Sequence, residues 1–384
     1  MSGLDTHIFA GGGIEISFLT QVGPDPFTPT PERLAQIEAV ATRIADFIGG
    51  AKSTLDIAIY DLRLKDAPAK IIGDALRAAK ARGVIIRIAY DAATAGGSGQ
   101  APNHQPNPED GAVDGPMPSF ISEFASIAEI RAIKGYRVLM HNKYIIRDAL
   151  SSEAALFIGS ANFTNDSWGL QENNILFFKS QPLSTFYATD FAELWNAQKI
   201  TDSTGYNDTG TVDVGDVALA VAFTPGESDA IVKEMVGIIQ SAKVSLQVAS
   251  VVISSGPILA ALSEALDRGM ALSGLYDGPQ MDTVIHQWTQ AGVGLDRIAS
   301  WKKVSAHLNR KNSIPYDASK PGNPHNFMHN KLIVADNNVI TGSFNLSRHA
   351  MGNAENVILL RDQAIADTYR AYLARIMAMY PKTA

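Results

Sequence analysis

The chain has 384 residues, 46% hydrophobic and 18% charged, a balance that suits a globular protein with one large core or two of ordinary size. Its 32 Lys and Arg against 39 Asp and Glu give a formal charge of −7, so no global cationic field draws it to nucleic acid or an anionic membrane, though a local basic groove would suffice. Cysteine is absent, which excludes disulfides, thiolate metal sites and thiol catalysis.

The start, Met1-Ser2-Gly3-Leu4-Asp5, has no basic segment before its first apolar residues, and no apolar run approaches the ~18 residues of a membrane span. The expectation is an intracellular (cytoplasmic) chain without an integral membrane segment. Thr30-Pro31-Glu32 marks a helix start, with Leu34, Ile37, Ala41, Ile44 and Ile48 at helical spacing and Gly49-Gly50 as the stop. Residues 54–60 then read as a buried strand, 68–82 as a helix closed by Gly83, and 84–90 as a strand ending at Asp91. That is βαβ logic with a parallel pair. Residues 95–119 form a Gly/Pro/Asn-rich stretch too long for a plain connection, read either as a functional rim or as a solvated insertion. Residues 138–146 read as another strand.

The second half repeats the plan. Residues 201–216, rich in Gly, Thr and Asp, read as a linker between a lobe at 1–200 and another at 217–384. Helices are expected at 229–241 and 257–268, and Leu275-Tyr276-Asp277 echoes Ala89-Tyr90-Asp91. Residues 302–320 hold Lys302, Lys303, Arg310, Lys311 and Lys320 against the single acid Asp317, either a solvated face or an anion guide.

One set of polar residues occurs twice. His141-Asn142-Lys143, Asp148, Gly159-Ser160-Ala161-Asn162 and Glu172-Asn173 return as His329-Asn330-Lys331, Asp336, Gly342-Ser343-Phe344-Asn345 and Glu355-Asn356. The His, Lys and Asp recur 188 residues on, and the later pieces 183 residues on, because the second copy is five residues shorter after its Asp. On a strand, side chains two apart share a face, so His141 projects with Lys143, His329 with Lys331, Ser160 with Asn162, and Ser343 with Asn345. Two imidazoles among ammonium, hydroxyl and amide groups suit an anion with several oxygens, such as a phosphodiester. One imidazole can attack phosphorus while the other protonates the leaving oxygen, a scheme that needs no metal or other cofactor. By the same parity Asp148 and Asp336 fall on the opposite face and are expected to support the structure. Glu172 and Glu355 are the stronger candidates to orient the imidazoles. Phe163, Phe344 and Trp168 read as core, and His325, four residues before His329, reads as a residue without a catalytic role in preference to a substrate contact.

At these residues the chain resembles the phospholipase D superfamily, whose mark is His-x-Lys, four residues, Asp, then Gly-Ser-x-Asn. The resemblance implies two pseudo-symmetric α/β/α lobes with mixed, mostly parallel sheets, one active site at the lobe interface and a covalent phosphohistidine. It implies catalytic roles for His141, Lys143, Asp148, Glu172, His329, Lys331, Asp336 and Glu355, with Ser160, Asn162, Ser343 and Asn345 binding substrate. With both half-sites in one chain, a monomer is expected. The second motif resembles the endonuclease branch, which favours nucleic acid as substrate. A phospholipid hydrolase or transphosphatidylase is the alternative, and two complete motifs argue against a non-catalytic binding protein.

Overall fold

A computed structural model gives the architecture and describes residues 4–92, 117–205, 207–290, 294–315, 319–320 and 322–382. The first half runs β1 (Asp5–Phe9), β2 (Ile14–Leu19), α1 (Pro31–Gly49), β3 (Thr54–Ile59), α2 (Asp66–Ala81), β4 (Ile85–Asp91), α3 (Ser119–Ser122) and β5 (Glu129–Ile133). It continues with β6 (Lys143–Arg147), β7 (Ala155–Gly159), α4 (Asn165–Gly169), β8 (Asn173–Lys179) and α5 (Gln181–Ala197). The second half runs β9 (Gly210–Val214), β10 (Val217–Thr224), α6 (Ser228–Ser241), β11 (Leu246–Ser250), α7 (Gly256–Asp267) and β12 (Leu272–Asp277). After these come α8 (Gly278–Gln290), α9 (Leu295–Ser305), β13 (Asn309–Lys311), β14 (Lys331–Ala335), β15 (Asn338–Gly342), β16 (Glu355–Arg361) and α10 (Gln363–Met379).

Local chemistry accounts for the main helix starts. The Thr30 hydroxyl accepts from the Arg33 amide at 3.2 Å, and Pro31 needs no partner for the amide it lacks. Ser180 and Asp362 cap α5 and α10 in the same way, accepting from Leu183 and Ile365.

Each half builds an eight-stranded sheet. The orders are β1-β2-β8-β7-β6-β3-β4-β5 and, read from the opposite edge, β9-β10-β16-β15-β14-β11-β12-β13. The two are the same topology. The sheets are mixed, as expected, but parallel pairing is the minority: only β3–β4, β4–β5, β11–β12 and β12–β13 are parallel. The βαβ signal was read correctly, but it covers only one flank of each sheet. The motif-bearing strands β6, β7 and β8 follow one another through connections without crossover helices, and such neighbours pair antiparallel.

Apolar side chains gather in three slabs. Helices α1 and α2 cover one face of the first sheet, with Ile37, Ile44, Ile72 and Leu76 against Leu55, Ile57 and Ile88. Helices α6, α7 and α9 cover the outer face of the second, and Ile239, Leu262 and Val304 belong to that slab. The third slab is shared, with α5 and α10 between the inner faces of both sheets. In it Phe223 of β10 packs edge-on against Tyr187 of α5, with centroids 4.9 Å apart. The stretch 201–216, read as a linker, contains β9, which pairs with β10 at the edge of the second sheet. Of the Gly/Pro-rich stretch 95–119, residues 95–116 lie outside the described residues.

Because the middle slab belongs to both halves, they are expected to unfold together. Phe223→Ala should lower the stability of one cooperative transition by about 3–5 kcal/mol, as read by denaturant unfolding followed by both fluorescence and circular dichroism. Two separate transitions would show instead that each half carries its own core.

Candidate active site

Each histidine sits just before a strand, held from three directions. The expected strand 138–146 begins only at Lys143; Met140 makes an isolated bridge to Ala354, and His141 lies between the two. The Met140 amide donates to Asp91 Oδ1 at 2.7 Å, and the Met328 amide to Asp277 Oδ2 at 2.9 Å. The His141 amide donates to the Ala354 carbonyl at 2.8 Å, and the His329 amide to the Glu172 carbonyl at 3.1 Å. Each histidine backbone is therefore docked on the opposite half. Lys143 Nζ and Lys331 Nζ donate back to the carbonyls of His141 and His329, at 2.6 and 2.7 Å.

Side chains repeat the crossing. Asn356 Nδ2 donates to Asn142 Oδ1 at 3.1 Å, and Asn174 Nδ2 donates to Asn330 Oδ1 at 3.0 Å. The Asn356 amide donates to Ser343 Oγ, and the Asn174 amide to Ser160 Oγ. Asn174 is thus the counterpart of Asn356, an offset of 182 residues, and Asn173 is the counterpart of Glu355. The repeated Glu-Asn pair had suggested 183. One extra residue between Gly159 and Asn174 shifts the register, and it changes the chemistry. His141 Nδ1 meets Glu355 Oε2 at 2.7 Å, whereas His329 Nδ1 meets Asn173 Oδ1 at 3.1 Å.

Glu172 does not pair with an imidazole. Fully buried, it accepts from Lys311 Nζ at 2.7 Å, Tyr380 OH at 2.7 Å and the Gln21 amide at 3.2 Å. Asn173 is oriented by its own donors, since Nδ2 gives to the Ser167 carbonyl at 3.1 Å, which turns Oδ1 towards His329. A carboxylate and an amide oxygen are both acceptors, so each histidine carries its proton on Nδ1 and leaves Nε2 as its free nitrogen.

His141, Lys143, His329 and Lys331 are all nearly inaccessible, and burial dominates their titration. It pulls His141 down to about 4 against the opposing attraction of Glu355, and Lys143 down to about 7. His329 falls well below its ordinary value through burial, then through repulsion by Lys331, Lys143 and His141. Lys331 falls well below its own through burial and then Lys143. The four groups are therefore close enough to repel one another, and an anion among them would reverse the imbalance. The Tyr60 ring lies against His141, centroids 4.8 Å apart, and 5.0 Å from Lys143 Nζ.

The remaining motif residues separate. Asp148 and Asp336 do not join this cluster. Each lies at the far end of its strand with a positive φ of 52° and accepts from the amides of the turn before a neighbouring strand. Asp148 takes those of Lys52, Ser53 and Thr54, and Asp336 those of Lys243, Val244 and Ser245. Ser160 and Ser343 are fully buried against Asn174 and Asn356, and Ser160 Oγ also donates to Asn173 Oδ1 at 2.7 Å. Asn162 and Asn345 are half-buried, and in both the amide oxygen is enclosed without a partner. Phe163, Phe344 and Trp168 are core. His325 stacks on Phe327, centroids 5.4 Å apart. Asp91 and Asp277 were missed as holders of the site, although the repeated Tyr-Asp ending was visible.

The basic run is largely taken up internally. Lys303 pairs with Asp267, Arg310 with Asp282, and Lys311 with the buried Glu172. Among the described residues no cluster of three His, Asp or Glu could hold a metal ion, and no helix is long and apolar enough to cross a membrane.

The family described as "Cardiolipin synthase, PLD-like domain" matches residues 44–195 and 235–377, most of the chain. The chain belongs to the phospholipase D superfamily. It is thereby placed among phosphodiester-acting enzymes. Phosphatidylserine synthase from Haemophilus influenzae Rd KW20 shares the fold, with a TM-score of 0.59 at 12% identity over 96% of this chain and 87% of the other. Nuc from Salmonella typhimurium, described as a phospholipase D family member, is 20% identical over 44% of this chain and 99% of its own, with a TM-score of 0.33. No curated protein matches the sequence.

Within this phospholipase D fold, Asp148→Asn and Asp336→Asn should each lower stability by about 1–3 kcal/mol, since a buried amide would lose its acceptor. Turnover of the folded variants should stay within a few-fold of wild type. Urea unfolding read beside phosphodiester turnover checks the pair, and a collapse of turnover with unchanged stability would return both residues to the chemistry.

Proposed function

We propose that the chain transfers phosphodiesters through a phosphohistidine on His141, with His329 as general acid and then general base. One observation carries the assignment: His141 Nδ1 has a carboxylate partner, Glu355, where His329 Nδ1 has the amide oxygen of Asn173. When His141 Nε2 attacks phosphorus its ring becomes cationic, and the Glu355 carboxylate stabilises that charge better than an amide can. The bound anion first raises His329 so that Nε2 takes up a proton. The bond from phosphorus to the leaving oxygen then breaks, and that oxygen takes the proton from His329 Nε2. Water or an alcohol then gives its proton to His329 and attacks phosphorus, and the phosphorus–nitrogen bond to His141 breaks.

Lys143 and Lys331 hold the non-bridging oxygens in this scheme, and Asn162 and Asn345 assist through their amide nitrogens. Glu172, Asp148 and Asp336 act on structure, and Ser160 and Ser343 place the asparagines. No step requires a metal ion. For substrate, the second motif's resemblance to endonucleases supports nucleic acid. A phospholipid-type diester is the second reading, and the internal pairing of Lys303, Arg310 and Lys311 favours it, because the run expected to guide a polyanion is largely neutralised.

The enzyme, with chelator present, is to be incubated with single-stranded DNA, RNA and a phosphatidylcholine/primary-alcohol mixture. A chelator-resistant reaction is expected, with a covalent adduct located on His141 by mass spectrometry. His329→Ala should lose roughly 10²–10⁴-fold in turnover. An adduct on His329, or a strict need for magnesium, overturns the mechanism. Asn173→Asp should move the pH limb governed by His329 to higher pH, because a carboxylate favours the imidazolium. Tungstate binding at pH 8 should be accompanied by proton uptake, since the anion raises the depressed values of Lys143, Lys331 and His329. Calorimetry in two buffers of different ionisation enthalpy reads that uptake.

A further inference from the structure

Glu355 is fully buried, and its Oε2 lies 2.7 Å from His141 Nδ1. Its other carboxylate oxygen, Oε1, accepts from Asn353 Nδ2 at 3.0 Å. Asn353 is itself buried, and its Oδ1 accepts from the Leu139 amide at 2.9 Å. That amide can only donate, so Asn353 must turn its oxygen to Leu139 and its nitrogen to Glu355. Leu139 lies two residues before His141. One side chain thus holds both ends of the contact between His141 and Glu355, the carboxylate directly and the imidazole through its own segment.

The main chain around Asn353 is held just as closely. The Ala354 amide donates to the Leu139 carbonyl at 2.9 Å. Thr224 Oγ1 donates to the Asn353 carbonyl at 2.7 Å and accepts from the Glu355 amide at 3.1 Å, and Thr224 stands directly opposite Glu355 in the pairing of β10 with β16. A carboxylate bonded through one oxygen can still swing about its last torsion, which is soft, and a bond to the second oxygen stops that motion. The other half is built differently. There Gln171 precedes Asn173 by two residues, as Asn353 precedes Glu355, and its Nε2 goes to the His325 carbonyl at 2.8 Å.

We propose that Asn353 is a positioning residue for the nucleophile: it fixes the Glu355 carboxylate so that Oε2 stays on His141 Nδ1 while the ring attacks phosphorus. The inference rests on the reading of His141 as the attacking histidine. Without the Asn353 donor, Oε1 would be enclosed with no partner, and the carboxylate would turn away or take up a proton. Either change weakens its hold on the ring at the moment the ring becomes cationic. Lys143 and Lys331, which hold the phosphate oxygens, do not depend on this contact, so anion binding is expected to survive its loss.

The test uses the full chain and a para-nitrophenyl phosphodiester, whose leaving group departs without a proton, so the burst of nitrophenolate reads attack by His141 alone. Asn353→Ala should slow the burst roughly tenfold or more, while tungstate affinity changes by less than about twofold. In a Glu355→Gln background the same substitution should add little, because Asn353 acts through that carboxylate. Proton NMR of the resting enzyme gives a reading without turnover. The Nδ1 proton of His141, identified by its loss in His141→Ala, should lie at low field in wild type and move upfield in Asn353→Ala, while that of His329 stays. Where Asn353→Ala does not fold, Asn353→Asp keeps the shape and the acceptor for Leu139. Its burst should recover as pH falls, a limb absent from wild type, since only a protonated carboxyl can donate to Glu355. Equal slowing with and without Glu355, lost stability with an unchanged burst per folded molecule, or an unmoved His141 proton would each overturn the proposal. A wild-type adduct on His329 would overturn the reading of the nucleophile and this role with it, whereas failure of the role of Asn353 alone leaves the adduct on His141.

Discussion

The structure depends on a crossing: each half holds the other half's histidine. The backbone amides of His141 and His329 donate to carbonyls across the interface, and the side-chain oxygens of Asn142 and Asn330 accept across it from Asn356 and Asn174. These bonds are buried, so separating the halves would leave polar groups without partners in a place water does not reach. The middle slab of α5 and α10 adds apolar area to the same interface. Site and interface are one object. A disturbance that loosens the slab must therefore reach the imidazoles, and one that tightens it must hold them better.

The second constraint is electrostatic. Two lysines and two histidines share a volume from which water is largely excluded, and among the described residues Glu355 is the carboxylate in contact with one of these two imidazoles. The protein keeps these cations partly uncharged and close together, which is unfavourable in isolation and becomes favourable when an anion enters. Placing Glu172 on Lys311 and Tyr380 belongs to the same economy, because a second carboxylate at the imidazoles would neutralise the field that a phosphate needs.

Much of this was legible in the sequence. Thr30 and Gly49-Gly50 bounded α1, the βαβ flank of each sheet followed from alternating patterns, and the doubled polar set named the four ionisable groups. Strand parity pointed Asp148 and Asp336 towards a supporting role, and the structure places them under turns at the far strand ends. The partner of His329 was not legible. Glu172-Asn173 copies Glu355-Asn356 letter for letter, and only the pairing of Ser160 with Asn174 reveals a shift of one residue. Loop insertions leave no mark on periodicity. Nor did charge counting show that the basic run faces Asp267, Asp282 and Glu172, since those partners are distant in sequence. Helices α5 and α10 were passed over although each buries one stripe at helical spacing, Leu183, Tyr187, Phe191 and Leu194 on one and Ile365, Tyr369, Tyr372 and Ile376 on the other.

The one-residue shift beside Asn173 has a consequence for how such an enzyme can change. In a dimer of identical halves every substitution is made twice, so losing one carboxylate at an imidazole means losing both. A fused chain is free of that symmetry. One copy can keep its acid while the other gives it up, and under the proposed mechanism two equivalent histidines are then free to take separate roles. Joining the halves thus does more than hold them together: it lets a single insertion in one loop give the two imidazoles different partners.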